Sequence, residues 1–350
     1  MTLIDATAPY RVVQWASGNI GARTLRGVIE HPRLSLVGVY AHSPAKVGVD
    51  AGELAGLEGK TGVLATNDLD EILALGADCV LYTPLASDFD EVCRLLESGA
   101  NVVTTRPEFF YAESLDPEVR KRVEAACAAG GTSIHSTGSS PGFITEAIPL
   151  VLTSIQRRLD GLTIDEFADL SQRDSPDMLF GIMGFGQPPA EYDERRLVHL
   201  RGSFGPSLSM LAEALGLTLD AVEVMGEVAT ASHDIEIAAG TLPAGTVVAQ
   251  RVTVSGVRGG KTLLRFRANW YCSTEIDQDW ELGATGWRVT VEGDAPLHVE
   301  LRFPVPIEQM AELSPGYTAN RAVNAVGVVC EAEPGIRTTV ELPHIIAALG

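Results

Sequence analysis

The sequence has too little cysteine for a disulfide or cysteine-zinc framework. The five present, Cys79, Cys93, Cys127, Cys272 and Cys330, are odd in number and show no C-x-x-C spacing. Basic charge is also scarce: 26 Lys and Arg against 46 Asp and Glu leave a formal charge of −20. Such a surface repels phosphate backbones and anionic bilayers, so neither a nucleic acid nor a membrane is expected as partner. The one tight basic run, RKR at 120–122, lies in an acid-flanked helical segment and reads as a solvated face. No apolar run approaches the ~18 residues of a bilayer crossing. No charged-then-apolar leader opens the chain, and the cytoplasm is the expected compartment. The seven histidines lack H-x-H and H-x-x-x-H spacing, so no metal is expected.

What is present is a globular composition, 45% hydrophobic over 350 residues, enough for two domains. The first 140 residues alternate strand and helix patterns. RVVQW (11–15), LSLVGVY (34–40), DCVLYTP (78–84), NVVTT (101–105) and TSIHS (132–136) read as buried strands. Between them DLDEILAL (68–75), DEVCRLLESG (90–99) and the segment from Pro117 to Gly130 read as helices. This alternation predicts a doubly wound parallel sheet, with ligands beyond the carboxyl ends of its strands.

The loop QWASGNIGART (14–24) supports that placement. In the register of a G-x-G-x-x-G fingerprint it offers Ala16, Gly18 and Gly21, so alanine replaces the first glycine. Ser17, Gly18, Asn19, Ile20 and Gly21 would cradle a pyrophosphate at a helix N-terminus. No carboxylate follows the second strand before Asp50, where NAD enzymes hold the ribose. His42, Ser43, Lys46 and Arg23 are placed instead for a 2′-phosphate, which favours NADP over NAD and leaves NAD open. Thr83, Pro84, Thr105 and Arg106 end two strands where the nicotinamide ribose would lie. Glu108 follows Arg106 closely and is flanked by Phe109, Phe110 and Tyr111. A carboxylate there is either functional or an idle loop residue.

From about residue 161 the period changes to two. In KTLLRFRANW, Leu264, Phe266, Ala268 and Trp270 alternate with Arg265, Arg267 and Asn269, and WRVTVE and LHVELRF behave likewise. These runs predict one open, largely antiparallel sheet with hairpin turns at 257–261 and 292–296. Its charged face would meet solvent or a second copy. STGSSPGF (136–143) should start a long helix over about 141–158 with Pro141 in its first turn. GYTANRAVNAVGVVCEAEPG (316–335) should form a helix with a broad apolar face, on which Asn320 and Asn324 could reach a cofactor. The expected domains are 1–140 for the dinucleotide, 141–315 for substrate and dimerisation, and 316–350 packing back on the first. His135 with Ser136, Ser139 and Ser140 could suggest a nucleophile, but no G-x-S-x-G elbow occurs and helix capping accounts for the serines. Arg173 and Asp174 either fix a polar substrate group or form a structural ion pair.

VVQWASGNIG, DCVLYTPL, NVVTTRPEFF and STGSSPGFITE together resemble the dihydrodipicolinate-reductase-like proteins. Within that group they are similar to the 2,4-diaminopentanoate dehydrogenase and native amine dehydrogenase family, most strongly over residues 11–185. The histidine pair of true dihydrodipicolinate reductases is missing. The resemblance implies a Rossmann-type α/β domain with a second α+β domain, a homodimer, and interconversion of a small amine with a ketone or aldehyde plus ammonia. It implies Glu108 as the catalytic carboxylate. Phe109, Ser139, Phe143, Arg173, Phe180 and Met183 are then candidates for the substrate pocket. Two other readings stay open: reduction of a cyclic imine or carbonyl without ammonia, and a dinucleotide sensor without catalysis.

Overall fold

Short β-branched runs bounded by glycine and by acidic helix caps set the order of elements. The structure, a computed structural model, describes residues 8–190 and 192–348. The chain runs β1 (Tyr10–Trp15), α1 (Asn19–Glu30), β2 (Leu34–Tyr40), α2 (Ala51–Leu54), β3 (Ala65–Thr66), α3 (Leu69–Ala74), β4 (Cys79–Tyr82), α4 (Phe89–Glu97), β5 (Asn101–Thr104), α5 (Pro117–Gly130) and β6 (Ser133–Ser136). It continues through α6 (Ile148–Thr153), β7 (Leu159–Asp169), α7 (Glu194–Ala214), β8 (Ala221–Thr230), β9 (Ile235–Ile237), β10 (Gly240–Leu242), β11 (Val247–Arg258), β12 (Lys261–Tyr271), β13 (Gly286–Gly293), β14 (Leu297–Arg302), α8 (Ile307–Cys330) and β15 (Gly335–Ile336). Two units form. One joins the chain up to Phe143 with the chain from Ser314 onward, and the other spans Ile144 to Leu313.

The first unit holds a seven-stranded, all-parallel sheet in the order β15-β6-β5-β4-β1-β2-β3. Its central strands are apolar on both faces, and all four residues of β4 are buried. Asp68, Asp88 and Asp116 cap α3, α4 and α5, each accepting two backbone N–H groups. Gly131 ends α5 at φ 66°, a left-handed stop that glycine adopts without steric cost. On one face Ala322, Val323, Ala325, Val326 and Val329 of α8 bury against Val12, Val28, Leu81 and Val103. Each valine or leucine so buried contributes about 1.5–3 kcal/mol.

The second unit is a six-stranded mixed sheet ordered β14-β13-β7-β12-β11-β8. Only β7 and β12 run parallel; the other pairings are antiparallel. Gly259 and Gly260, at φ 57° and 73°, turn the β11–β12 hairpin. Charged groups of this sheet pair within the chain: Arg267 with Asp165, and Arg288 and Arg302 with Glu300.

Three sequence expectations are corrected. The helix over 141–158 does not form. Ser140 (φ −153°, ψ 107°) and Pro141 (φ −72°, ψ 169°) are extended and Gly142 has φ 115°, so regular α-helix is confined to α6. The last helix starts earlier, at Ile307, carries Pro315 in its interior and stops at Cys330; the chain then returns as β15, paired with β6. In β12 the alternation breaks at Asn269, which is fully buried while Trp270 is only half-buried. Asn269 is satisfied there, accepting from Arg251 Nε at 2.7 Å and donating to the Glu166 carbonyl at 3.1 Å.

Candidate active site

The loop between β1 and α1 has the shape its glycines suggest. Ala16 stands at φ 69°, the left-handed conformation that the first glycine of the fingerprint normally supplies. At Gly21 an added Cβ would lie 2.3 Å from the Ala16 carbonyl oxygen. At Gly18 an added Cβ would meet nothing within 4 Å. Gly18 caps α1 without a side-chain bond, and the first turn carries no acid. The helix N-terminus is therefore open to an anion and favours negative charge. This cradle fits a dinucleotide pyrophosphate.

The loop is braced by Gln14, which sequence reading missed. Its Nε2 donates to the Ala16 carbonyl at 2.8 Å and to Thr83 Oγ1 at 2.9 Å, and its Oε1 accepts from Thr24 at 2.7 Å. The signal was a lone amide inside the apolar run RVVQW. Thr83, at the end of β4, also donates to the Trp15 carbonyl at 3.0 Å. Lys46 folds over from beyond β2, its Nζ 2.8 Å from the Ser17 carbonyl and 3.0 Å from Ser17 Oγ. Arg23 bonds back to Asn19 one turn earlier. His42 and Ser43 are exposed, with His42 edge-on to the Tyr40 ring at 5.0 Å. Tyr40 stacks on Trp15 at 3.7 Å. Ser17 and Lys46 thus meet past the ends of β1 and β2, and His42 and Ser43 lie on the chain between β2 and Lys46. Asp50 serves the local fold: it caps α2 and accepts from Thr61 and Gly62 backbone N–H groups, which holds its carboxyl down at about 2.

Glu108 sits on one 3-10 turn, Pro107–Phe109, just past β5. Arg106 is extended, as the residue before a proline must be. Ser136, at the end of β6, pins the turn: its Oγ donates to the Arg106 carbonyl at 2.6 Å and accepts from Phe109 N–H at 3.2 Å. Phe109 and Phe110 anchor it from below, 0% and 2% exposed. Phe109 therefore packs in the core, edge-on to Phe89, and does not line a pocket, which corrects the expectation for it. The Glu108 side chain is 25% exposed, with Oε1 2.9 Å from Arg106 Nη2. Its Oε2 is buried and has no hydrogen-bond partner among the described residues. Arg106, expected among the cofactor contacts, is engaged by Glu108 and by the Leu85 carbonyl at 2.7 Å. Leu85 itself is 95% exposed, three residues past the end of β4. Pro84 is buried beside it and Thr105 half-buried.

Elsewhere in the first unit, Ser139 Oγ bonds Thr318 at 2.7 Å, and Arg321 lies over the Phe143 ring at 5.7 Å. Asn320 is exposed on α8. His135 meets the Arg337 carbonyl through Nδ1 at 2.7 Å, and none of its hydrogen bonds among the described residues goes to a serine, so no catalytic triad forms. In the second unit, Arg173 makes only backbone bonds among the described residues, and no ion pair joins it to Asp174. Phe180 and Met183 pack half-buried in one apolar cluster with Leu179 and Phe185. Among the described residues no helix is long and apolar enough to cross a membrane.

Residues 143–350 match the profile of the family described as 2,4-diaminopentanoate dehydrogenase C-terminal domain, and residues 12–105 match that of dihydrodipicolinate reductase, N-terminus. An amine dehydrogenase of Streptomyces virginiae is 30% identical over 95% of both chains. A 2,4-diaminopentanoate dehydrogenase of Acetoanaerobium sticklandii is 23% identical over 85% of this chain and 88% of its own. The structure of an amine dehydrogenase from Mycobacterium smegmatis superposes with a TM-score of 0.73 at 23% identity, covering 97% of both chains.

Proposed function

The chain belongs to the 2,4-diaminopentanoate dehydrogenase and amine dehydrogenase family, and from that premise we propose an NAD(P)-dependent oxidoreductase interconverting a small amine with its ketone or aldehyde and ammonia. The observation that carries the reading is Glu108, a carboxylate with one oxygen fixed by Arg106 and the other buried and bare among the described residues. A buried bare anionic oxygen attracts a cationic nitrogen and can take a proton from it.

Backbone N–H groups from Gly18 to Gly21 hold the pyrophosphate at the start of α1. Lys46, with Arg23, His42 and Ser43 nearby, favours the 2′-phosphate of NADP. Thr83, Pro84 and Thr105 contact the nicotinamide ribose. When bound, the nicotinamide supplies hydride exchange with the carbon that bears nitrogen. Glu108 does the rest of the chemistry. It takes the proton of the substrate ammonium and passes it to solvent before oxidation, and then, again a carboxylate, takes the proton of the water that adds to the iminium carbon. Phe143 offers an apolar contact for the alkyl part. The enzyme acts in the cytoplasm as a homodimer, joined through the charged face of the six-stranded sheet; light scattering measures that state.

The decisive assay supplies NADPH, ammonium and a panel of short ketones. Ammonia-dependent NADPH oxidation is expected. Turnover without ammonia would replace this reading with an imine or carbonyl reductase. Glu108→Gln should lose about 10²–10⁴-fold in kcat while NADPH affinity stays nearly unchanged.

A further inference from the structure

The ion pair that holds Glu108 carries, besides the bare Oε2, a second buried atom without a partner among the described residues, Nε of Arg106. The guanidinium is fixed at both ends: Nη2 holds Glu108 Oε1 at 2.9 Å and Nη1 donates to the Leu85 carbonyl at 2.7 Å. Its backbone is fixed too, by Thr104 Oγ1 on the N–H at 3.1 Å and by Ser136 on the carbonyl. A paired arginine and carboxylate ordinarily close two parallel bonds, one of them through Nε or the second Nη. Here one bond closes, and one donor and one acceptor of the same pair are left over. Two buried groups left unpaired in this way weigh against the fold unless a ligand satisfies them.

We infer that Arg106 Nε–H and Glu108 Oε2 form a two-point clamp for one hydroxyl group, the oxygen that water delivers to the substrate carbon. This rests on the amine–ketone reading above. A hydroxyl accepts from Nε–H and donates to the carboxylate, which an ammonium, having no lone pair, does not. In the oxidative direction the water oxygen bonds to the iminium carbon, the C=N π pair returns to nitrogen, and Glu108 takes the water proton. The neutral carbinolamine then draws that proton back onto nitrogen. Its hydroxyl proton passes to Glu108 as the C–N bond breaks and C=O forms. Released ammonia takes up the proton, and Glu108 is again a carboxylate. Arg106 transfers nothing; it fixes the carboxylate and aims the oxygen.

Arg106→Ala and Arg106→Lys test this in the full-length enzyme, with the best ketone of the panel. The alanine variant should bind NADPH within about threefold of wild type and melt within a few degrees of it. It should lose about 10²-fold in kcat, with the KM of ketone and ammonium changing far less. Millimolar methylguanidinium should restore about tenfold or more of that loss. The lysine variant keeps the charge without the planar fork and should recover only a small part. A kcat within about threefold of wild type in either variant, or a loss that methylguanidinium does not reduce, overturns the clamp. Glu108→Gln measured alongside separates the two ideas. An inactive glutamine variant with indifferent Arg106 variants leaves amine chemistry standing and removes the clamp; a fully active one removes both.

Discussion

One methyl group distinguishes the roles of Gly18 and Gly21. At Gly21 the added carbon collides with fixed backbone, 2.3 Å from the Ala16 oxygen, and α1 must move away from β1. Gly21→Ala should cost about 2 kcal/mol or more and lower Tm. At Gly18 the same carbon meets no protein atom, and its φ of −74° suits any residue. Gly18→Ala should therefore melt like wild type yet bind NADPH at least about tenfold more weakly, because the methyl occupies the space that phosphate needs. Calorimetry with and without NADPH reads both effects. An unchanged NADPH affinity in Gly18→Ala would remove the loop from the binding site.

Elements in the parallel unit meet at distances that leave no room for side chains. Gly130, in the last turn of α5, presents its Cα to the Leu96 carbonyl of α4, and an added Cβ would lie 1.9 Å from that oxygen. Here steric conflict outweighs propensity: alanine is the better helix former by about 1 kcal/mol, but the two helices must separate to admit it. Gly130→Ala is expected to be net destabilising by about 2 kcal/mol or more, a fall in Tm of about 4 °C or more for a unit of this size. Urea denaturation checks it, and a neutral or stabilising result contradicts the packing. Had propensity alone ruled, the substitution would help.

At the scale of the whole molecule, a buried histidine adds to the acid response. Burial of His135, opposed by its bond to the Arg337 carbonyl, lowers its pKa from 6.5 to about 4. The unfolded chain takes up the proton near 6.5, whereas the fold refuses it until about 4. Stability from this site is thus complete above pH 6.5 and declines as pH falls toward 4, by up to about 3 kcal/mol. His31, also lowered by burial, adds in the same direction. Urea midpoints between about pH 7 and pH 4.5 should fall in wild type. They should fall less steeply in His135→Asn, whose amide can still donate to the Arg337 carbonyl. Equal slopes would clear His135 of the effect.

The sequence by itself determined the elements whose cause is local. Apolar runs and helical spacing placed five of the seven strands of the parallel sheet, and the helices α3, α4 and α5 between them, within a residue or two; β3 and β15 emerged only in the structure. The β1–α1 loop was legible for the same reason, through Gly18 and Gly21, whereas the φ of 69° at Ala16 came only with the structure. The place of Glu108 just past β5 was legible too, because NVVTT marks where that strand ends. The tertiary structure alone decided the rest. The apolar composition of PGFITEAIPLVL favours a helix, and only the packed chain shows that Ser140, Pro141 and Gly142 leave it. Whether Phe109 forms wall or core depends on Phe89, twenty residues away in sequence, and Gln14 finds its role only when Thr83 and Thr24 reach it. The pairing of Arg106 with Glu108 and Leu85 is also invisible in one dimension. Side-chain partners are chosen by distance in space, and a sequence fixes distance only along the chain.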